Sequence, residues 1–286
     1  MIDIEHFPLF DGHAHFSQAY LDQGLASYAR CGVRGGIVIH PYPHLDFGEF
    51  LRELRRRQAT NWLPCYWPAW PEYGWRPEAF VPKLVRDMRR FDRLGCRGLK
   101  VWKDLGMFII HPNGKPATMD DARLRPVWET VEELGWWISV HQADPVACWK
   151  TRTGLTRDEI FQRRDRVIRA HPDIRFILCH NGNDIEGVAN FGALLDRFPN
   201  VMSDIGRDFL LRDTLADTQA FIEKHADSLL FGPDTCLPDS RPPDLKWDWE
   251  EFNLPWRRRI VSWGLSARAF RQFTWENGAR LLAALR

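Results

Sequence analysis

Eight short apolar runs recur along this chain, and the segments between them space their apolar residues three and four apart. The runs are PLFDGHAHF (8–16), RGGIVIHPYP (34–43), NWLPCYWPAW (61–70), CRGLKVWKD (96–104), GWWISVHQAD (135–144), IRFILCHNG (174–182), NVMSDIG (200–206) and DSLLFGPD (227–234). Each is rich in β-branched or aromatic residues and ends at a polar residue or at Gly or Pro, the pattern of a short buried strand. The intervening FGEFLRELRRRQ, FVPKLVRDMRRFDRLG, RLRPVWETVEELG, RDEIFQRRDRVIRAHP, NFGALLDRFP and LADTQAFIEKHA read as helices, several stopping at Gly or Pro. Strands alternating with helices predict a parallel sheet, and eight such units predict an α/β fold of the (β/α)8 TIM-barrel type. A doubly wound open sheet is the alternative. It needs a topological switch point and usually fewer strands, and no GxGxxG opens a helix here.

The 286 residues suit one such barrel, so residues 1–286 are expected to form a single domain. The Pro-, Asp- and Trp-rich stretch at about 235–255 reads as an extended loop over the barrel mouth, and SARAFRQFTWENGARLLAALR reads as a closing helix. Lys plus Arg is 39 against 38 for Asp plus Glu, a net charge of +1, which lacks the basic footprint of a nucleic-acid binder. The runs Arg55–Arg57 and Arg257–Arg259 fall in expected helices and read as solvated faces. Six cysteines, Cys31, Cys65, Cys96, Cys148, Cys179 and Cys236, form no CxxC pair. That is not a secreted disulfide framework, so a cytoplasmic location is expected. The opening MIDIEHFPLFDG lacks the order of a signal peptide, and no apolar run reaches membrane-spanning length, so no membrane association is expected. Fourteen tryptophans, many in LPCYWPAWPEYGWRP and PPDLKWDWEEFNLPW, read equally as core filling or pocket lining. The abundance of aromatics also suggests a homodimer.

Chemistry-bearing residues gather at one end of the runs, where barrel enzymes carry their catalytic groups. The first run ends with His13 and His15, the fourth carries Lys100 and then Trp102, the fifth ends with His141, the sixth with His180 and the eighth with Asp234. Side chains two apart on a strand share a face. His13 and His15 are therefore expected on one face, Ala14 on the other, and Asp11 on the histidine face one pleat deeper. Two imidazoles on one face make half of a metal site, and His141 and Asp234 are the natural residues to complete it. Imidazoles with one carboxylate suit zinc, with manganese and iron as alternatives. Taken singly, each histidine also reads as a hydrogen-bonded structural residue.

Together these motifs resemble the amidohydrolase superfamily. More narrowly they resemble its amidohydrolase-related branch, the second amidohydrolase family, which includes aminocarboxymuconate semialdehyde decarboxylase and lactone hydrolases. The resemblance spans nearly the whole chain and rests on FDGHAHF, GLKVW, ISVHQAD, RVIRAHPDIRFILCHNG, FPNVMSDIG, LLFGPD and NGARLLAAL. It implies that His13, His15 and His141 are metal ligands and that Asp234 is the carboxylate touching the metal and its water. It implies that His180 is an acid/base or substrate-polarising residue in a one-metal site, or a second-metal ligand in a two-metal site. Lys100 matches a lysine that bridges two metals when carboxylated; with one metal it binds substrate or orients the site. Resorcylate-type decarboxylases of this branch replace the first histidine by glutamate, and this chain keeps HAH. HNGND after the sixth run and TCLP after Asp234 also depart from the usual pattern, at positions that read substrate.

The function implied is hydrolysis of an amide, lactone or related C–N or C–O bond by water activated on one divalent metal. Asp234 then moves the proton, His180 stabilises the oxyanion, and Asp11 is either a partner behind the histidines or a strand-start residue. Lys100, Lys103 and Arg207 are cations at strand ends, with Trp70, Trp102 and Trp149 nearby. They point to a small anionic substrate with a planar or ring portion. Non-oxidative decarboxylation on the same metal is the second enzymatic reading, and a non-catalytic metal-binding barrel is the third. Structural zinc sites usually recruit cysteine, which this cluster lacks. His40 and His44 read as rim or exposed loop residues, and His6, His111, His171 and His225 as structural or exposed.

Overall fold

Each apolar run becomes a strand paired in parallel with the next. The computed structural model describes residues 7–15, 21–40, 46–143, 150–183, 187–206, 215–236 and 258–284. The strands are β1 (Leu9–His15), β2 (Val33–Ile39), β3 (Trp62–Tyr66), β4 (Gly98–Val101), β5 (Trp137–Val140), β6 (Phe176–Leu178), β7 (Val201–Ile205) and β8 (Leu229–Phe231). Pairing follows chain order from β1 to β8. β1 returns against β8 so closely that a Cβ on Gly12 would lie 2.9 Å from the Leu230 Cβ. The nearly closed ring is the expected (β/α)8 barrel. A two-residue strand, β9 (Thr235–Cys236), then pairs with β1 through Ala14↔Thr235 and His15↔Cys236. The stretch expected as a loop from 235 thus begins as a strand beside the histidines; residues 237–257 lie outside the described ones.

The helices are α1 (Leu21–Arg30), α2 (Phe47–Arg56), α3 (Trp70–Trp75), α4 (Pro77–Asp92), α5 (Arg125–Glu133), α6 (Arg157–Ala170), α7 (Val188–Arg197), α8 (Leu215–His225), α9 (Ala267–Arg271) and α10 (Asn277–Ala284). The six expected between the strands are present. The α1 and α3 helices are additions to that expectation. The buried face of α1 is Leu21, Gly24, Ser27 and Tyr28. Its spacing is helical, but two of the four residues are small and not apolar, so the period is faint in the sequence. Within the Trp-rich stretch, α3 starts where Pro71 occupies the first turn, a position whose N–H needs no partner. The α2 helix is capped by Asp46, which accepts from the N–H groups of Gly48 and Glu49. Thr156 and Glu159 close a reciprocal capping box on α6. Arg56 and Arg57 pair with Glu53, and Arg57 with Asp22, so this basic run is a solvated, ion-paired face. Residue 257 of the second run lies outside the described residues. No described helix is long and apolar enough to cross a membrane.

Two apolar layers hold the barrel. Most of the buried side chains lie between strands and helices. Inside the ring, Phe10, Ile37, Leu63, Trp137, Ile177, Met202 and Leu230 pack with Leu281 and Leu282 of α10. Gly98 yields space to this interior, since a Cβ there would meet the Trp137 ring at 2.4 Å. The α10 helix closes the floor at the N-terminal ends of the strands. Asn277 donates to the carbonyls of Ala226 and Leu229 at 2.6 Å each. Gly278 lies flat on Phe10, whose ring a Cβ would meet at 2.0 Å. The Asn-Gly of the closing motif therefore serves packing at the end of the barrel remote from the histidines. Gly278→Ala is expected to lower the unfolding free energy by roughly 1–3 kcal/mol through overpacking. Urea unfolding measures it, and an unchanged midpoint would contradict the close approach.

Candidate metal centre

The histidines of β1 are delivered by a bulge. Phe10 pairs with Gly35 and Asp11 with Gly36, but Ala14 pairs with Val38. Three steps along β1 therefore match two along β2, and one extra residue breaks the strict alternation. This corrects the expected placement of Asp11 on the histidine face. Phe10 points into the barrel, and Asp11 turns outward, beside Tyr28 of α1. Its Oδ1 accepts the backbone N–H of His13 at 2.8 Å, which pins the bulge. Burial pushes its carboxyl up to about 8, against the hydrogen bond from His13.

Beyond the bulge, His13 Nε2 and His15 Nε2 lie 3.1 Å apart. The other nitrogen of each ring is engaged. His13 Nδ1 lies 2.9 Å from Asp204 Oδ2, and His15 Nδ1 lies 3.1 Å from the carbonyl oxygen of Ile39. A carbonyl and an ionised carboxylate only accept, so each ring donates from Nδ1 and presents a lone pair at Nε2. Asp234 Oδ1 lies 3.6 Å from His13 Nε2 and 3.3 Å from His15 Nε2. The side chains of His13, His15 and Asp234 are only 1%, 11% and 11% exposed. Three electron-pair donors facing one another with little water between them repel unless a cation lies among them. Two imidazole nitrogens and one carboxylate oxygen are a donor set that zinc and similar divalent ions take. Among the described residues these three ligand atoms form one group, all within 4.8 Å of one another.

The protonation states agree with that geometry. Burial, helped by the Lys100 ammonium, pushes His13 down to about 3. Burial by itself would raise Asp204 and Asp234. His13 and His180 outweigh it and hold both carboxyls well below the usual range.

His180 follows β6 in a left-handed conformation (φ 54°, ψ 60°), as does Asn181 (φ 55°). Asp234, beyond β8, also has φ 54°. Such backbone costs a non-glycine residue roughly 1–3 kcal/mol and collects at functional sites. The His180 ring stacks on His13, with centroids 4.7 Å apart and planes 13° apart. Its Nε2 lies 3.5 Å from Asp234 Oδ2. Its Nδ1 lies 3.1 Å from Asp204 Oδ1, and its backbone N–H donates to the same oxygen at 2.9 Å. His141 follows β5, with its N–H on the Val101 carbonyl at 2.9 Å. Its ring meets His180 edge-on at 5.0 Å, beside the three-atom group rather than within it.

Lys100 lies beneath these rings rather than on the rim. It is 1% exposed, with Nζ 3.0 Å from Cys179 Sγ, 3.3 Å from Ser139 Oγ and 3.5 Å from His13 Nε2. Burial works against its ammonium, but Cys179 and Asp204 favour the charge and hold the group above the usual lysine value. Trp70 is fully buried, and its Nε1 donates to the Lys100 carbonyl at 2.8 Å. It therefore fixes β4 rather than lining the mouth. An aromatic row does extend from His15. Trp67 lies 6.3 Å from His15, Trp102 5.5 Å from Trp67, and Phe108 6.1 Å from Trp102. Lys103 Nζ stands 5.4 Å from the Trp102 ring centre.

Arg207 and Trp149 lie outside the described residues, as do His6 and His44. His40 is not a rim residue: it is 4% exposed, packed between Phe47 and Phe50, and burial pushes it down to about 4. His111 is structural, tied to the Gly74 carbonyl and Asp121 at 3.1 and 3.3 Å. His171 lies 3.4 Å from Glu132, and His225 3.9 Å from Asp196. Asp204 and Trp67 are the site residues that sequence reasoning passed over. A charged residue inside the otherwise uncharged run NVMSDIG was the available signal for Asp204.

The fold and the site together define a barrel with a candidate metal-binding group of two histidines and an aspartate at the C-terminal ends of its strands. The family model described as amidohydrolase, the second amidohydrolase family, matches residues 10–283, and the chain belongs to that family. The family is metal-dependent. A search of curated protein sequences returns no significant match. Among solved structures, a putative 2-pyrone-4,6-dicarboxylic acid hydrolase from Pseudomonas putida aligns with TM-score 0.64 and 17% identity over 98% of this chain and 99% of its own. A probable 2-pyrone-4,6-dicarboxylic acid hydrolase from Acinetobacter baumannii, with citric acid bound, aligns with TM-score 0.65 and 12% identity over 97% and 100%. An amidohydrolase from Burkholderia multivorans with bound zinc aligns with TM-score 0.61 and 15% identity over 97% and 99%. At these identities the likeness is one of fold.

Proposed function

We propose that the protein is a metal-dependent hydrolase that opens an amide, lactone or related C–N or C–O bond in a small, carboxylated, cyclic substrate. The observation that carries this reading is the convergence of His13 Nε2, His15 Nε2 and Asp234 Oδ1, each ring held by its other nitrogen. A divalent ion, zinc first and manganese or iron as alternatives, is held by His13, His15 and Asp234, with His141 beside them. When bound it supplies Lewis acidity, lowering the pKa of water and polarising a carbonyl. Asp234 accepts the proton that the attacking water loses and returns it to the leaving atom. His180 Nε2, 3.5 Å from Asp234 Oδ2, shares that proton or donates to the carbonyl oxygen as it gains charge.

The substrate class follows from what surrounds the ligands. The row Trp67, Trp102 and Phe108 offers flat faces to a ring, and Lys103 beside Trp102 offers a cation to a carboxylate. Trp67 Nε1 is buried and has no hydrogen-bond partner among the described residues, so it is available as a donor to substrate. The 2-pyrone-4,6-dicarboxylic acid named for two of the solved relatives is itself a cyclic ester with two carboxylates. The test is a panel of carboxylated lactones, cyclic amides and aromatic acids, scored for ring-opened product and for carbon dioxide. Ring opening that depends on added zinc or manganese supports the proposal. Carbon dioxide release without ring opening would replace it with decarboxylation.

A further inference from the structure

We infer that Asp204 is a positioning residue shared by two histidines, so that the metal ligand His13 and the proton-handling His180 hang from one carboxylate. This rests on the proposed function for what the two histidines do, but not for how they are held. Asp204 sits near the end of β7. His180 comes from the neighbouring β6, and His13 from β1, across β8. The reach past β8 is open because position 232 is glycine: a Cβ there would lie 2.6 Å from the Asp204 Cβ and 3.2 Å from the His13 Cβ.

Two oxygens then face three nitrogens, and two of the three contacts are hydrogen bonds. Oδ2 takes His13 Nδ1 at 2.9 Å, while Oδ1 takes the His180 backbone N–H at 2.9 Å and faces His180 Nδ1 at 3.1 Å. The Asp204 side chain is 1% exposed, so water does not compete. The two rings stack nearly parallel, 13° apart, with both Nδ1 atoms within 3.1 Å of the one carboxylate. With both Nδ1 atoms on the side of Asp204, both Nε2 atoms turn to Asp234, at 3.6 Å from His13 and 3.5 Å from His180. One carboxylate thus decides which nitrogen of His13 is a ligand and which nitrogen of His180 exchanges its proton. It also couples the two: charge drawn from His13 by a bound cation strengthens the hold on Oδ2 and leaves less negative charge for His180.

Asp204→Asn separates this role from simple packing. Asparagine offers one acceptor oxygen, and its amide N–H groups face the second Nδ1, so one of the two rings must change tautomer or turn away. The experiment records nitrogen NMR spectra of histidine-labelled wild type and variant, together with zinc affinity by chelator competition and separate kcat and KM values. In the wild type, His13 and His180 are both expected to carry a proton on Nδ1. In the variant one of them loses that signature, zinc binding weakens about 10–100-fold, and kcat falls more than KM rises. A wild-type spectrum with Nδ1 unprotonated on either ring overturns the inference. So does a variant with both signatures and zinc affinity intact. Should the variant fail to fold, the wild-type spectrum still decides. Should no hydrolysed substrate be found, the spectra and zinc titration still decide, so failure of the proposed function and failure of this inference are separable.

Discussion

Asp234→Asn is expected to reduce kcat by about 10²–10⁴-fold, the usual weight of a positioned general acid or base, while leaving the fold and most of the bound metal in place. Asparagine keeps an oxygen where Asp234 Oδ1 faces His13 and His15 at 3.6 and 3.3 Å. What it loses is the charge and the capacity to take up a proton. The choice of residue matters because position 234 has φ 54°. Asparagine tolerates left-handed backbone better than most residues, so the turn after β8 survives. Alanine there would combine chemical loss with backbone strain and blur the result. Steady-state kinetics, with metal content and thermal unfolding measured on the same sample, check the expectation. Full activity in a folded Asp234→Asn protein would remove Asp234 from the proton path.

His13→Ala is expected to empty the centre and abolish turnover. His13 carries more of the site than any other side chain described. Its Nε2 is a ligand atom 3.1 Å from His15 Nε2, its Nδ1 binds Asp204, and its Nε2 also lies 3.5 Å from Lys100 Nζ. Removing it releases one oxygen of Asp204. Metal content is expected to fall from about one ion per chain to below about a tenth. Unfolding free energy should fall as well, because Asp204 loses a buried charge-assisted hydrogen bond. His111→Ala is the control. That histidine is tied to Gly74 and Asp121, among packing residues, so its loss should lower stability and leave metal content unchanged. A His13→Ala protein that keeps its metal would contradict the site as drawn.

The sequence carried the barrel because strand and helix periods alternate clearly. Where the period was weak, elements were missed. The α1 helix buries Gly24 and Ser27 beside Leu21 and Tyr28, and α3 lies in a stretch whose proline and tryptophan content reads as loop. The site was legible in its histidines and in Asp234, because these cluster at strand ends. The period-two rule placed His13 and His15 together but misplaced Asp11. A bulge adds a residue between Asp11 and Ala14, and single-residue bulges leave no periodic trace. Depth was the other blind spot. Lys100 read as binding substrate or orienting the site, and Trp70 as an aromatic near the substrate, because charge and large aromatics suggest ligand contact. In the barrel the lysine lies beneath the rings, donating to Cys179 and Ser139, and the tryptophan clasps its backbone. Asp204 was passed over because its partners, His13 and His180, are 191 and 24 residues distant in the chain.

On the proposed function, His13, His15 and Asp234 hold a divalent metal on which catalysis depends. Elemental analysis of the purified protein, followed by chelation and stepwise return of zinc, tests it most directly. About one ion per chain is expected, with loss of hydrolysis on chelation and recovery as the ion is restored to that ratio. Hydrolysis that persists undiminished in metal-free protein would contradict it.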